Sequence, residues 1–131
     1  MAAQTPKILL LALNWPRGHL DQRGTLSWSR ALDDVTIGTA AVIVTEKMLT
    51  LRYRLMSIGS GVVTPLEAKW SVDDGPYARF IALKENGQTR PLDEAHALKQ
   101  FKAFAQLLGG EPVFQRHGTR ETSVDMAFPN F

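Results

Sequence analysis

Leu49-Thr50-Leu51-Arg52-Tyr53-Arg54-Leu55 alternates apolar and polar residues without a break. That period of two marks a half-buried β-strand. Leu49, Leu51, Tyr53 and Leu55 share one face, and Thr50, Arg52 and Arg54 share the other. Just before it, Thr36 to Thr45 is rich in β-branched residues. The link Glu46-Lys47-Met48 is short enough to join the two as an antiparallel hairpin. Gly59-Ser60-Gly61 then makes a loop, and Ala68, Trp70 and Val72 alternate again. Asp73-Asp74-Gly75-Pro76 signals a turn before a strand over Tyr77–Leu83. Asn86-Gly87 is the favoured pair for a type I′ hairpin turn, with a short return strand ending by Pro91.

The period changes after Pro91. Asp93 can cap a helix N-terminus, and Glu94 in the first turn suits the helix dipole. Ala95, Leu98, Phe101, Ala105 and Leu108 recur at helical spacing, with Phe104 widening the stripe. Gly109-Gly110 stops the helix where left-handed backbone costs least. A helix is therefore expected over 92–108. Towards the N-terminus, Gly24–Ser29 reads as a short strand with Leu26 and Trp28 two apart, and Asp33-Asp34 as a turn. The continuous apolar run Ile8–Leu13 reads as a strand buried on both faces. Residues 1–7 read as a loose leader, Val113-Phe114 as a terminal strand, and 118–131 as an apolar tail, docked or swapped. The expected fold is α+β. It is a mostly antiparallel twisted sheet, or half-open barrel, of about five to seven strands with one long helix in the C-terminal half packed on it.

Composition sets the limits. The 131 residues suit a single domain. With 44% hydrophobic and 21% charged residues the chain has the balance of a folded protein, not a disordered one. The absence of cysteine excludes disulfides, thiolate nucleophiles, cysteine-based zinc sites and iron–sulfur clusters. Ile8–Leu13 is too short for a membrane span or a secretory core, so the expected setting is the cytoplasm. The net charge of +2 is unevenly spread. Residues 1–60 hold seven Lys/Arg against four Asp/Glu, and residues 61–131 hold eight against nine.

That excess points to a modest basic face of Lys47, Arg52 and Arg54, which Arg79 joins from a neighbouring strand. A basic sheet face can bind nucleic acid through its phosphates. Tyr53 points away from the two arginines and serves the core. The loop Trp15-Pro16-Arg17-Gly18-His19 is the second candidate surface, because Trp and Arg dominate protein interfaces. Trp15, Arg17 and His19 are its candidate residues. The apolar tail suggests docking across a two-fold axis to form a homodimer.

Catalytic patterns are weaker. Gln115-Arg116-His117-Gly118-Thr119-Arg120 resembles the Arg-His-Gly signature of histidine phosphatases. There the histidine accepts a phosphoryl group and arginines hold the phosphate. Only eleven residues follow Arg120, and none is a histidine, so the string reads as a basic loop beside a short strand. His19 with Asp21 has no second histidine nearby, which leaves no metal site. His96 reads as a solvent-exposed residue on the helix flank. Asp33-Asp34 and Asp73-Asp74 read as turns, and Gly59-Ser60-Gly61 lacks the lysine and helix of a phosphate loop. The expectation is a small non-enzymatic binding protein without cofactor. Its partner is a macromolecule, protein ahead of nucleic acid, and no membrane is involved. The alternatives are a small hydrolase or transferase using His19, Asp21 and His117, and a ligand-binding barrel lined by Trp28, Tyr53, Trp70 and Phe80.

Overall fold

The computed structural model describes residues 4–6, 23–45, 47–72 and 77–116. Its strands are β1 (Gln4–Pro6), β2 (Gly24–Ala31), β3 (Thr36–Val44), β4 (Met48–Ser57), β5 (Gly61–Val72), β6 (Tyr77–Glu85), β7 (Gln88–Thr89) and β8 (Val113–Arg116). One helix, α1 (Glu94–Leu108), lies between β7 and β8. Seven strands form an antiparallel sheet in the order β1-β6-β5-β4-β3-β2-β8, and the two-residue β7 pairs with the end of β6. The sheet is not closed. Strands β2 to β6 form an up-and-down meander, so each strand pairs with the one before it. Gln4–Pro6, expected within a loose leader, instead pairs with Tyr77–Arg79. The expected strand Ile8–Leu13, the 73–76 turn and the 118–131 tail lie outside the described residues.

The register builds one apolar face. Leu26, Val42, Leu51, Ala68 and Leu83 lie side by side across β2 to β6, and all five are buried. The next inner row is Trp28, Ala40, Tyr53, Leu66 and Glu85. On the other flank run Gly24, Val44, Leu49, Trp70 and Phe80. Helix α1 packs on this face: Phe101 meets Trp28 edge-to-face at 6.0 Å, and Phe104 stacks on Tyr53 at 4.2 Å. Asp93 caps the helix by accepting from the His96 amide at 3.0 Å. Gly109, at φ 67°, ends it with its N–H on the Ala105 carbonyl. Ala97, not Ala95, belongs to the buried stripe; Ala95 is exposed.

Two irregularities shape the sheet. Lys69 pairs with Ala82 but Trp70 with Phe80, so Ile81 is the extra residue of a β-bulge. Phe80 and Leu83 can then both face the helix. On β5, Thr64 and Pro65 stand against Arg54 alone. Proline belongs at such a place because it has no N–H to give the ladder, and its carbonyl accepts from the Asn86 amide at 2.8 Å. Asn86 and Gly87 both have positive φ, 54° and 81°, as a type I′ turn demands.

Gly24 is where β8 comes closest. A Cβ there would lie 2.7 Å from the Gln115 carbonyl oxygen and 2.6 Å from the Phe114 ring. The carbonyl belongs to the strand backbone and has little freedom to yield. Gly24→Ala should therefore destabilise the fold by about 1–3 kcal/mol, as overpacking does, read as a lower urea midpoint. Unchanged stability would mean that β8 can move away from β2 at no cost.

Candidate functional site

The polar side chains of β2 to β6 lie on the sheet face away from α1. One outer row is Ser27, Ala41, Arg52, Glu67 and Lys84; the next is Thr25, Ile43, Thr50, Lys69 and Ala82. Arg54 lies beside Thr39 and Ser29. Arg79 stands on the same face, near Ser71. The face has two halves. Over β2 and β3 the outer rows are uncharged, and Thr25, Ser27, Thr39 and Ala41 are buried. Over β4 to β6 it carries Arg52, Arg54, Lys69, Arg79 and Lys84 against one carboxylate, Glu67, among the described residues.

The expected basic residues divide accordingly. Arg52 and Arg54 share the outer face, as their parity requires, and Arg79 joins them two strands away. Lys47 sits exposed in the β3–β4 turn, where its carbonyl accepts from the Val72 amide at 2.9 Å. Lys69 and Lys84 belong to the same surface and were missed by sequence reading. Their alternation is visible in β5 and β6, but only strand order places those strands beside β4. Glu67 contacts Lys69 at 3.9 Å. Burial first, and then the neighbouring Arg54, lower the Arg52 pKa from its ordinary value, while Glu67 opposes the shift. Trp15, Arg17 and His19, with Asp21 and His117, lie outside the described residues.

A second polar cluster anchors the start of α1. The Trp70 indole N–H donates to Glu94 Oε2 at 2.6 Å. His96 Nε2 meets both Glu85 carboxylate oxygens, at 3.2 and 3.1 Å, and Arg90 Nε stands 3.8 Å from Glu85 Oε1. A carboxylate only accepts, so in this contact Nε2 carries the proton. His96 is thus not the solvent-exposed flank residue expected from its helix position. The meander brings Glu85 to it across the β7 turn, a proximity that no helical spacing encodes. A His–Glu pair can orient an imidazole for acid–base work, but no nucleophilic hydroxyl is bonded to His96 among the described residues. Nor does any group of three His, Asp or Glu there suit a metal ion.

Comparison of the chain with protein-family models, with curated proteins and with solved structures finds no match. No helix among the described residues is long and apolar enough to cross a membrane. The rings of Trp28, Tyr53, Trp70 and Phe80 are engaged with α1 or with one another: Trp70 and Phe80 lie 4.8 Å apart.

Tyr53 gives the site a titration signature. Burial first, and then the Glu85 charge, raise its phenol pKa above the ordinary value of 10.0. The folded chain keeps this proton at a pH where the unfolded chain loses it. Its contribution to stability is therefore present below pH 10 and lost as pH rises through the folded value. Tyr53→Phe should lose less stability than the unmodified protein between pH 8 and pH 11, measured by urea unfolding at each pH. Equal losses in the two proteins would show that the phenol is not coupled to folding.

Proposed function

We propose that the chain is a non-enzymatic binding protein whose outer sheet face takes the phosphate backbone of a nucleic acid. The observation that carries this reading is the charge of that face over β4 to β6, five cations against one carboxylate among the described residues. Arg79 lies in the row of Ser71 and Met48, six positions of β4 from Arg54, so the patch is about 20 Å long at the usual strand rise. That is long enough to meet several phosphates of one duplex. The contacts that Arg52, Arg54, Lys69, Arg79 and Lys84 offer are ionic, and binding through phosphates is insensitive to sequence.

The test is fluorescence anisotropy with duplex and single-stranded oligonucleotides between 50 and 300 mM salt. Affinity should fall steeply with salt, and Arg54→Ala with Lys84→Ala should flatten the log–log slope by about one for each phosphate no longer neutralised. Lack of binding at 50 mM salt would end the proposal.

A second reading, a protein partner, has an observation of its own. Leu32, Val35, Ile58, Val62, Val63 and Leu107 are all more than one-third exposed, and Ile58 is 79% exposed. The Ile58 amide donates to the Val35 carbonyl at 2.9 Å, which holds the β2–β3 and β4–β5 turns together. Apolar surface gathered in this way marks a contact site. Exposed Asp33 and Asp34 lie at the same end as Arg30. A second copy related by a two-fold axis can therefore match both signs of charge. Light scattering should find a dimer that Ile58→Lys converts to monomer. A chain that is monomeric at 100 µM before substitution would dismiss this reading.

A further inference from the structure

We infer that Glu67 is a built-in competitor of the phosphate backbone, an internal carboxylate that sits among the cations of the outer face and holds down their affinity for a nucleic acid. The inference rests on the nucleic-acid reading above and deepens it, because it names the residue that sets how tightly the face binds. Glu67 stands inside the cationic patch. Its direct cross-strand neighbours are Arg52 on β4 and Lys84 on β6. Two strand spacings put the backbones of those two about 10 Å apart, with Glu67 midway. Lys69, two residues further along β5, brings its Nζ to 3.9 Å from Glu67 Oε1. Three cations of the patch are therefore neighbours of this carboxylate.

The carboxylate already acts on this face in the free chain. Against burial first, and then the neighbouring Arg54, Glu67 favours the charged form of Arg52. The side chains of Glu67 and Lys69 are 25% and 40% exposed, so both reach the surface that a polyanion meets. An exposed ion pair of this kind contributes little by itself. The larger effect is repulsion. A phosphate that engages Arg52 and Lys84 together has to lie over Glu67, which occupies the position between them in the row. Like charges brought this close cost affinity. Arg54 lies one row away and Arg79 two rows away on the other side, so both feel the carboxylate less. The face is thus suited to contact that is weak and readily reversed.

The test compares the full chain with Glu67→Gln, which keeps the shape of the side chain and removes its charge. Anisotropy with a duplex oligonucleotide at 150 mM salt should show Glu67→Gln binding about threefold tighter or more, with a log–log salt slope steeper by about one. Glu67→Ala should act in the same direction, so the result does not depend on one variant folding. Glu111→Gln removes the same charge from an exposed position next to β8. Strand β8 is three strand spacings, about 14 Å, from β4. That exceeds the Debye length of about 8 Å, so Glu111→Gln should leave affinity unchanged. In a Lys69→Ala background the gain from Glu67→Gln should shrink, because one of its cations is gone. Inorganic polyphosphate is the second probe, since it carries phosphates without bases or sugars. Tighter polyphosphate binding by Glu67→Gln, with no oligonucleotide bound by either protein, would end the nucleic-acid reading and keep Glu67 as a competitor of phosphate chains. Equal affinity of Glu67→Gln and the unmodified protein for an oligonucleotide that both bind would overturn the inference and leave the nucleic-acid reading standing. An equal gain from Glu111→Gln would do the same. Binding of neither probe by any of these proteins at 50 mM salt would overturn both.

Discussion

Burying alternate residues of every meander strand under one helix is the constraint on which the rest of the structure depends. A strand has two faces, and a side chain that goes to the helix cannot serve the other side. Once Leu49, Leu51 and Tyr53 face Phe101 and Phe104, Arg52 and Arg54 must face away. The same rule, applied through the register, gathers Lys69, Arg79 and Lys84 beside them. The basic face is thus the reverse side of the hydrophobic core. Slipping β4 by one residue would turn Arg52 and Arg54 toward the helix and expose Leu49 and Leu51.

The helix start is held by polar contacts and its end by close packing. Trp70 reaches Glu94 and Glu85 reaches His96 at the N-terminus. At the other end Leu108 and Phe104 lie over Gly38, where a Cβ would come within 2.9 Å and 3.1 Å of their side chains. Arg30 Nη1 donates to the Leu107 carbonyl at 3.4 Å, one of the carbonyls that the helix itself leaves unpaired. The Ile81 bulge belongs to the same device. Were Ile81 in step with the ladder instead of bulged, strict alternation from Phe80 would carry Lys84 toward the helix and Glu85 toward the basic face. The bulged conformation of Ile81 therefore supplies His96 with its carboxylate and the outer face with a cation.

Much of this was legible in the chain. The Leu49–Leu55 alternation, the Asn86-Gly87 turn, the Asp93 cap and the Gly109 stop are local signals, each tied to a backbone conformation that few residues adopt. Strands β2, β3, β4 and β6 and helix α1 follow from them. The contribution of Lys69 and Lys84 was not legible, because neighbourhood in a sheet depends on strand order. The burial of Ser27 and Thr39 was not legible either, since small polar residues look like ordinary solvated strand surface.

By itself, the sequence determined the periods, the turns, the helix and the exclusion of cysteine chemistry, because those depend on residues close together in the chain. Only the tertiary structure decided that the sheet stays open, that Gln4–Pro6 closes one edge, and that a bulge exchanges Glu85 with Lys84 between faces. It alone set Arg52 in one row with Ala41 and Ser27. Those outcomes depend on which strands lie side by side, and that is settled by packing the whole apolar face under one helix.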